Sequence, residues 1–339
     1  MRPAVTITDI AARAGCSKST VARVLNHRPD VNPETRSRIL EIMEELAFVP
    51  DERARALASG RSMTIGLMVA NLTSPYSHDV IRSFEGEARQ AGYAVLLMDT
   101  SYDANEEGKA IEILWRKRVD GVAVVPVGES SEPLRRLMSL SIPTVLIARY
   151  FPDLSVDVVR HDNRQNAWLA TRHLLDLGHQ RIVYVSRDAA ISTVRDRIAG
   201  IKVALAERDL PEDTVHVKTA EAVAEGGYRA IRQIVTESGN DFPYTAVIAY
   251  NDYSALGVQR ALLESGYQIP RDVSLVACSD SGICDYLPIR LTAVRENWRE
   301  VGRQSFHTLE AQLQGEIHPP RSTIVPTELI VRDSTTRPR

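Results

Sequence analysis

Lys18, Ser19 and Arg23 are donor-bearing side chains of a short helix whose apolar residues are Val21, Val24 and Leu25. Side chains of this kind, near the start of a helix laid in a major groove, read base edges. An arginine or lysine pairs with the acceptors of guanine, whereas serine is less selective. Around them lie Ser17, Thr20, Asn26, Asn32 and Thr35, whose hydroxyl and amide groups suit phosphate oxygens. Such contacts set register without reading sequence.

Local signals supply the helices that would position these groups. Thr8 can cap a helix through Ala14 and joins the candidate DNA-contacting residues. Ile10, Ala11 and Ala14 share a face, and Gly15 ends the helix. Ser17 then caps Lys18–Asn26. Asn32, followed by Pro33, opens a third helix with Ile39, Leu40, Ile42, Met43 and Leu46 inward. Two short helices joined by a tight glycine turn form the helix-turn-helix pattern. A plain surface bundle with solvated charges is the alternative on these signals alone.

Whole-chain charge hides this head. The 339 residues carry a formal net charge of -3, with pI ≈ 6.3. Residues 1–40 nevertheless hold seven basic and three acidic side chains, a net of about +4 on a small segment. Cys16, Cys278 and Cys284 make neither a disulfide framework nor a zinc pattern, as expected for reduced thiols in the cytoplasm. The N-terminal residues have no apolar signal-peptide core, and no run approaches a membrane span. No Ser/His/Asp set, metal cluster, P-loop or GxGxxG motif stands out. His161, His173 and His179 lack metal-site spacing. The expectation is a chain with no enzymatic activity and no cofactor.

Beyond residue 62 the pattern alternates. Apolar runs at 65–70, 94–98, 121–125, 144–148, 182–186, 246–250 and 273–277 read as buried parallel strands. Amphipathic stretches at 77–91, 105–117, 163–177, 195–208, 253–265 and 300–314 read as helices. The fold class expected is an all-α helix-turn-helix domain followed by an α/β body of two doubly wound parallel-sheet lobes. In such sheets ligands bind at the C-terminal strand ends.

The stretches VTITDIAARAGCSKSTVARVLN, PETRSRIL and ALASGRS resemble the start of a LacI/GalR-family regulator. Cys16 stands where valine is common and Ala22 where serine is common. Further likeness lies in HDNRQNAWLATRHLLDLGHQRIVYV, RDRIAGIKVAL, YNDYSALGVQRALLESGYQIPRDVSLVACSD and PTELIVRDST, so it spans almost the whole chain. The resemblance implies a DNA-binding domain at 1–50 and a hinge helix at 51–62. It also implies a periplasmic-binding-protein-like body, whose first lobe is 63–160 with 291–320 and whose second is 161–290 with 321–331. In the hinge, the residue matching Leu57 would wedge into the minor groove, with Arg55 at a nearby phosphate.

For the cleft between the lobes, the resemblance implies Arg197 as the group holding ligand hydroxyls or carboxylates, with Thr193 and Arg195 beside it. It adds Asn251, Tyr76, Arg149, His161, Ser279 and Glu296 as lining residues. Taken singly, Arg197 reads as an ion pair, Asn251 as a helix cap and His161 as a structural imidazole. Ser279 replaces an acidic residue that in the family often accepts sugar hydroxyls. That loss, beside Arg149, Arg160, Arg195 and Arg197, suits an anionic effector such as a sugar acid or sugar phosphate. The partners expected are thus double-stranded operator DNA, a small polar effector and a second copy of the chain, with no membrane. A lone helix-turn-helix reads too few bases, and twofold dimers on pseudo-palindromes are the norm. No C-terminal heptad segment suggests a further assembly. The competing class is a solute-binding protein sharing the two-lobed body, against which the DNA-reading head and the lack of a signal sequence argue.

Leu57→Ala is expected to weaken operator binding and bending while effector binding stays intact. Unchanged operator affinity in a gel-shift titration would remove the wedge role.

Overall fold

The computed structural model describes residues 5–25, 28–48, 60–239 and 241–339. The chain forms two units, Met1–Ser62 and Met63–Arg339.

The first unit holds α1 (Ile7–Ala14), α2 (Lys18–Leu25) and α3 (Pro33–Glu45). The cap of α1 is Thr6 rather than the expected Thr8. Thr6 and Asp9 form a reciprocal capping box, in which the Thr6 amide donates to Asp9 Oδ2 at 2.8 Å. Only a residue three positions before Asp9 can close that box, so Thr8 falls inside the first turn. Gly15 takes φ 62°, and its amide closes back onto the Ala11 and Ala12 carbonyls. Ser17 Oγ accepts from the Thr20 amide at 3.1 Å, and Asn32 Oδ1 from the Glu34 amide at 2.8 Å. Ile10, Val21, Val24, Ile39 and Ile42 close the core. Leu40, expected inward, is 49% exposed. The helical period puts Ile39, Ile42, Met43 and Leu46 on one face and turns residue 40 away.

The second unit contains two six-stranded sheets. In chain order the first lobe begins with β1 (Thr64–Val69), α4 (Pro75–Gln90), β2 (Ala94–Asp99), α5 (Ala104–Arg116), β3 (Gly121–Val124), α6 (Glu132–Ser139), β4 (Thr144–Ile147) and β5 (Asp157–His161). The second follows with α7 (Asn163–Asp176), β6 (Ile182–Ser186), α8 (Ser192–Ala206), β7 (Val215–Thr219), α9 (Ala224–Glu237), β8 (Ala246–Ala249), α10 (Asp252–Glu264), β9 (Ser274–Ala277) and β10 (Thr292–Glu296). The chain closes with α11 (Trp298–Leu313), β11 (Ser322–Val325) and β12 (Thr327–Ile330).

Strand order is β11-β5-β4-β3-β1-β2 in the first sheet, all parallel. It is β12-β10-β9-β8-β6-β7 in the second, where only β12 is antiparallel. Helices cover both faces of each sheet, which explains why central strands such as Gly121–Val124 and Ala246–Ala249 are buried throughout.

The chain passes between lobes at 161–163, 296–298 and 325–327. This corrects two expected boundaries. Residues 292–296 pair with β9 and belong to the second lobe, so the return to the first begins with α11. Residues 322–325 pair with β5 in the first lobe, and only β12 lies in the second. The strand TAVRE alternates apolar and polar residues too briefly to be seen beside the longer apolar runs. Among the described residues, no helix is long and apolar enough to cross a membrane.

Helices pack closely where glycine allows. At Gly302 of α11, a Cβ would lie 2.6 Å from the Val80 carbonyl oxygen of α4. At Gly257 of α10 it would collide with the Ala224 carbonyl at the start of α9. Gly302→Ala is therefore expected to destabilise the body by about 1–3 kcal/mol through overpacking, despite a helix-propensity gain of about 1 kcal/mol. Urea unfolding followed by circular dichroism measures it, and a stabilised variant would contradict the close contact.

Candidate functional site

On the head, Ser17, Lys18, Ser19 and Arg23 are exposed, and Thr20 is half-buried. Ser17 Oγ lies 2.7 Å from Ser19 Oγ and 2.8 Å from Thr20 Oγ1, so the three hydroxyls form one polar cluster at the start of α2. Arg23 stands 3.8 Å from Asp30, a loose exposed pairing that leaves the guanidinium free to exchange partners. Asn32 is engaged as a cap, and Thr35 is half-buried on the first turn of α3. Asn26, Arg55 and Leu57 lie outside the described residues.

In the body, the strand ends of both lobes enclose a cavity of about 340 Å³, within the range of small-ligand sites. Seven of the nine expected residues line it: Tyr76, Arg149, Thr193, Arg197, Asn251, Ser279 and Glu296. Arg197 enters from the first turns of α8 and is almost wholly buried. Its Nε donates to Asn163 Oδ1 (3.2 Å) and its Nη1 to the Tyr250 carbonyl (2.7 Å). Its Nη2 donates to the Cys278 carbonyl (3.2 Å) and to Glu296 Oε1 (2.9 Å). Four of its five N–H groups are thereby used, leaving one on Nη1. Burial pushes the Glu296 carboxyl up to about 7, while the Arg197 charge pulls it back. The ion-pair reading of Arg197 thus describes its main contacts, although it also lines the cavity.

Asn251 is likewise a cap as well as a wall residue. Its Oδ1 accepts from the Ser254 amide at 2.7 Å, and its Nδ2 donates to the Ala222 carbonyl at 3.1 Å. Ser279 Oγ donates to Asp252 Oδ1 at 3.0 Å, so the carboxylate at this corner comes from Asp252 at the start of α10. Tyr76 packs against Trp298 at 4.7 Å between ring centroids. Burial raises the Tyr76 phenol well above its usual value and keeps it neutral.

Two expected residues stand elsewhere. Arg195 is exposed, and its Nη1 donates to the Ala190 carbonyl at 2.9 Å. It lies two residues from Arg197, a separation that turns side chains to different sides of a helix. His161 sits behind the wall, edge-on to Trp298 at 4.5 Å, with neither ring nitrogen in a normal hydrogen bond. Arg160 pairs with Asp196 at 3.2 Å and is absent from the wall. Sequence reasoning missed Arg187, Tyr102, Asp252 and Trp298, which all line the cavity. Arg187 directly follows β6, so the strand-end rule was the signal that could have found it.

A helix-turn-helix head joined in one chain to a two-lobed ligand cleft is the make-up of a ligand-responsive DNA-binding regulator. Residues 6–51 match the model of the lacI family of bacterial regulatory proteins, and residues 171–335 that of the periplasmic binding protein-like domain. The regulator GalR of Salmonella typhimurium (strain LT2) is 34% identical over 327 residues, covering 96% of this chain and 94% of GalR. Among solved structures, the Lac repressor dimer bound to operator and an anti-inducer superposes with a TM-score of 0.86 at 24% identity. It covers 98% of this chain and 100% of that one. The transcriptional regulator CelR in complex with cellobiose superposes at 0.72 with 26% identity, over 98% of this chain and 100% of that one. The chain belongs to the LacI family: it is a DNA-binding transcriptional regulator and not an enzyme.

Burial, opposed by the Asn297 backbone and aided by the Arg197 charge, pushes the His161 imidazole down to about 3. The unfolded chain binds this proton near pH 6.5, so His161 contributes stability that is complete above that pH and lost as pH falls toward 3. His161→Leu is expected to flatten the loss of stability across that window. Urea titrations at several pH values measure it, and an unchanged slope would exclude His161 as the cause.

Proposed function

We propose that this regulator is a repressor that grips a pseudo-palindromic operator as a homodimer and is switched by a small polar effector held between its lobes. It would work where the DNA is, in the cytoplasm. The observation that carries the reading is the cavity: seven residues chosen by family likeness from distant parts of the sequence line a single volume. Spare donors on Arg197 and Asn251, and the hydroxyls of Tyr76, Thr193 and Ser279, suit a polyhydroxylated molecule. The cellobiose held by CelR is of that chemistry. Lys18, Ser19 and Arg23 serve as base readers. Ser17, Thr20, Asn26, Asn32 and Thr35 serve as backbone contacts, with Leu57 and Arg55 at the hinge. Thr8, inside the first turn of α1, serves as a further backbone contact.

Closure of the lobes on a ligand would shift the first lobes of the dimer against each other and change the pairing of the hinges. By linkage, operator and effector must alter each other's binding by the same factor. A solute-binding role for the same cleft leaves the helix-turn-helix without a use.

Fluorescence anisotropy with DNA from the protein's own promoter tests the reading. Lys18→Ala is expected to weaken specific binding about tenfold or more, with a smaller loss on random DNA. Equal losses on both would make Lys18 a phosphate contact. No preference for any promoter segment by the wild-type protein would overturn the repressor reading.

A further inference from the structure

The cavity's charges are unevenly matched. Three of its four carboxylates have cationic partners: Asp79 meets Arg299 at 2.9 Å, Glu296 meets Arg197, and Asp280 meets Arg295 and Arg332 at 3.1 and 2.8 Å. The fourth, Asp252, accepts from the Ser279 hydroxyl and from the amides of Tyr253 and Ser281. Two lining cations have no such match. Among the described residues, neither Arg149 nor Arg187 has a carboxylate at ion-pair distance. Buried or half-buried arginines left this way are uncommon, because a desolvated charge needs a counter-charge.

Arg149 is the more constrained of the two. It lies two residues past the end of β4, after Ala148 at φ 68°, a left-handed conformation that costs energy for any residue but glycine. Its Nη1 donates to the Pro126 and Val127 carbonyls at 2.8 and 2.9 Å, and its Nη2 to the Gly128 carbonyl at 2.8 Å. These bonds fix the guanidinium in place without neutralising it. They leave one Nη2 hydrogen and the Nε–H, and that Nε is buried with no partner. The buried carboxyl whose charge acts on Arg149 is Glu107. It accepts from the Val127 amide at 2.7 Å, and burial raises it toward its neutral form. Arg187, from the opposite lobe, lies over the Tyr102 ring at 5.6 Å. Burial, and then the Arg187 charge, lowers the Arg149 guanidinium from its ordinary value, as for two like charges sharing one space.

We propose that the effector is an anion whose carboxylate or phosphate group is seated between Arg149 and Arg187, with its hydroxyls on the Arg197–Asn251 side. This rests on the effector-cleft reading above and narrows its ligand class. An anion supplies the missing counter-charge and can accept from both guanidinium groups at once, which a neutral hydroxyl does poorly. It also bridges the two lobes, because Arg149 follows a strand of the first sheet and Arg187 a strand of the second.

The test is calorimetry on the full-length protein with matched sets built on glucose, galactose and ribose. Each set contains the neutral sugar, its aldonate and its terminal phosphate, and operator binding is read in parallel by anisotropy. In the set that binds, one anionic member is expected to bind at least about tenfold tighter than the neutral sugar. Which member wins separates a carboxylate from a phosphate ligand. Arg187→Gln should shrink that anion-to-neutral ratio and Arg187→Lys should restore part of it. The half-buried position of Arg187 makes it a safer site to vary than Arg149. A neutral sugar that binds as tightly as its anions and shifts operator affinity would overturn the proposal while leaving the effector reading in place. An unchanged ratio in Arg187→Gln would also overturn it. No binding by any member of any set would remove the effector reading and the proposal together.

Discussion

Arg197 holds the floor of the second lobe together. Removing a guanidinium from water costs several kcal/mol unless its donors and its charge are matched. Here the match comes from Asn163 at the start of α7, the Tyr250 carbonyl after β8, the Cys278 carbonyl after β9, and Glu296 at the end of β10. Asn166 ties the same Cys278 carbonyl and Glu296 carboxylate from α7, at 3.1 and 3.3 Å. Three neighbouring strand ends and two helix starts are therefore locked to one planar group. The positions of Asn251, Ser279 and Trp298 follow from it, since each is within two residues of an atom in that network.

The two lobes bring different chemistry to the cleft. The second contributes a satisfied network around Arg197, in which carboxylates and caps hold one another, with the unmatched Arg187 beside it. The first contributes aromatic surface from Tyr76 and Tyr102, and an arginine fixed by backbone carbonyls. Trp298 stands between them, touching Tyr76 in the wall and His161 behind it. An occupant of the cavity thus meets a rigid hydrogen-bonded face on one side and a more aromatic one on the other, with an unmatched arginine on each.

Much of this was legible in the sequence because the signals were local. The caps at Ser17 and Asn32, the glycine at 15 and the long apolar runs each depend on a few adjacent residues. Strands 157–161 and 292–296 were not visible, since Asp-Val-Val-Arg-His and Thr-Ala-Val-Arg-Glu place polar groups where the chain changes lobe and meets the cleft. The two lobe boundaries that had to move follow from strands 292–296 and 322–325, neither of which stands out as an apolar run. Arg195 and Arg197 are two residues apart, and only the phase of α8 decides which one reaches the cavity. The shift from Thr8 to Thr6 turned on a single carboxylate, Asp9, whose side chain closes a box with one residue and not the other. His161 was expected to line the cleft but lies behind the wall, because the tryptophan that covers it comes from the second passage of the chain, more than a hundred residues later.

The three passages between lobes are each very short. A single residue separates the flanking elements in every case: Asp162 between β5 and α7, Asn297 between β10 and α11, and Pro326 between β11 and β12. Asp162 and Asn297 are also helix caps, bound to the Gln165 and Glu300 amides, and proline has its φ fixed. With two soft dihedrals per residue at most, the connections act together like three leaf springs clamped at both ends. Such a flexure bends readily about one line and resists sliding or stretching. The lobes can tilt, but they cannot drift, and any movement imposed at one end of the body reaches the other as a rotation.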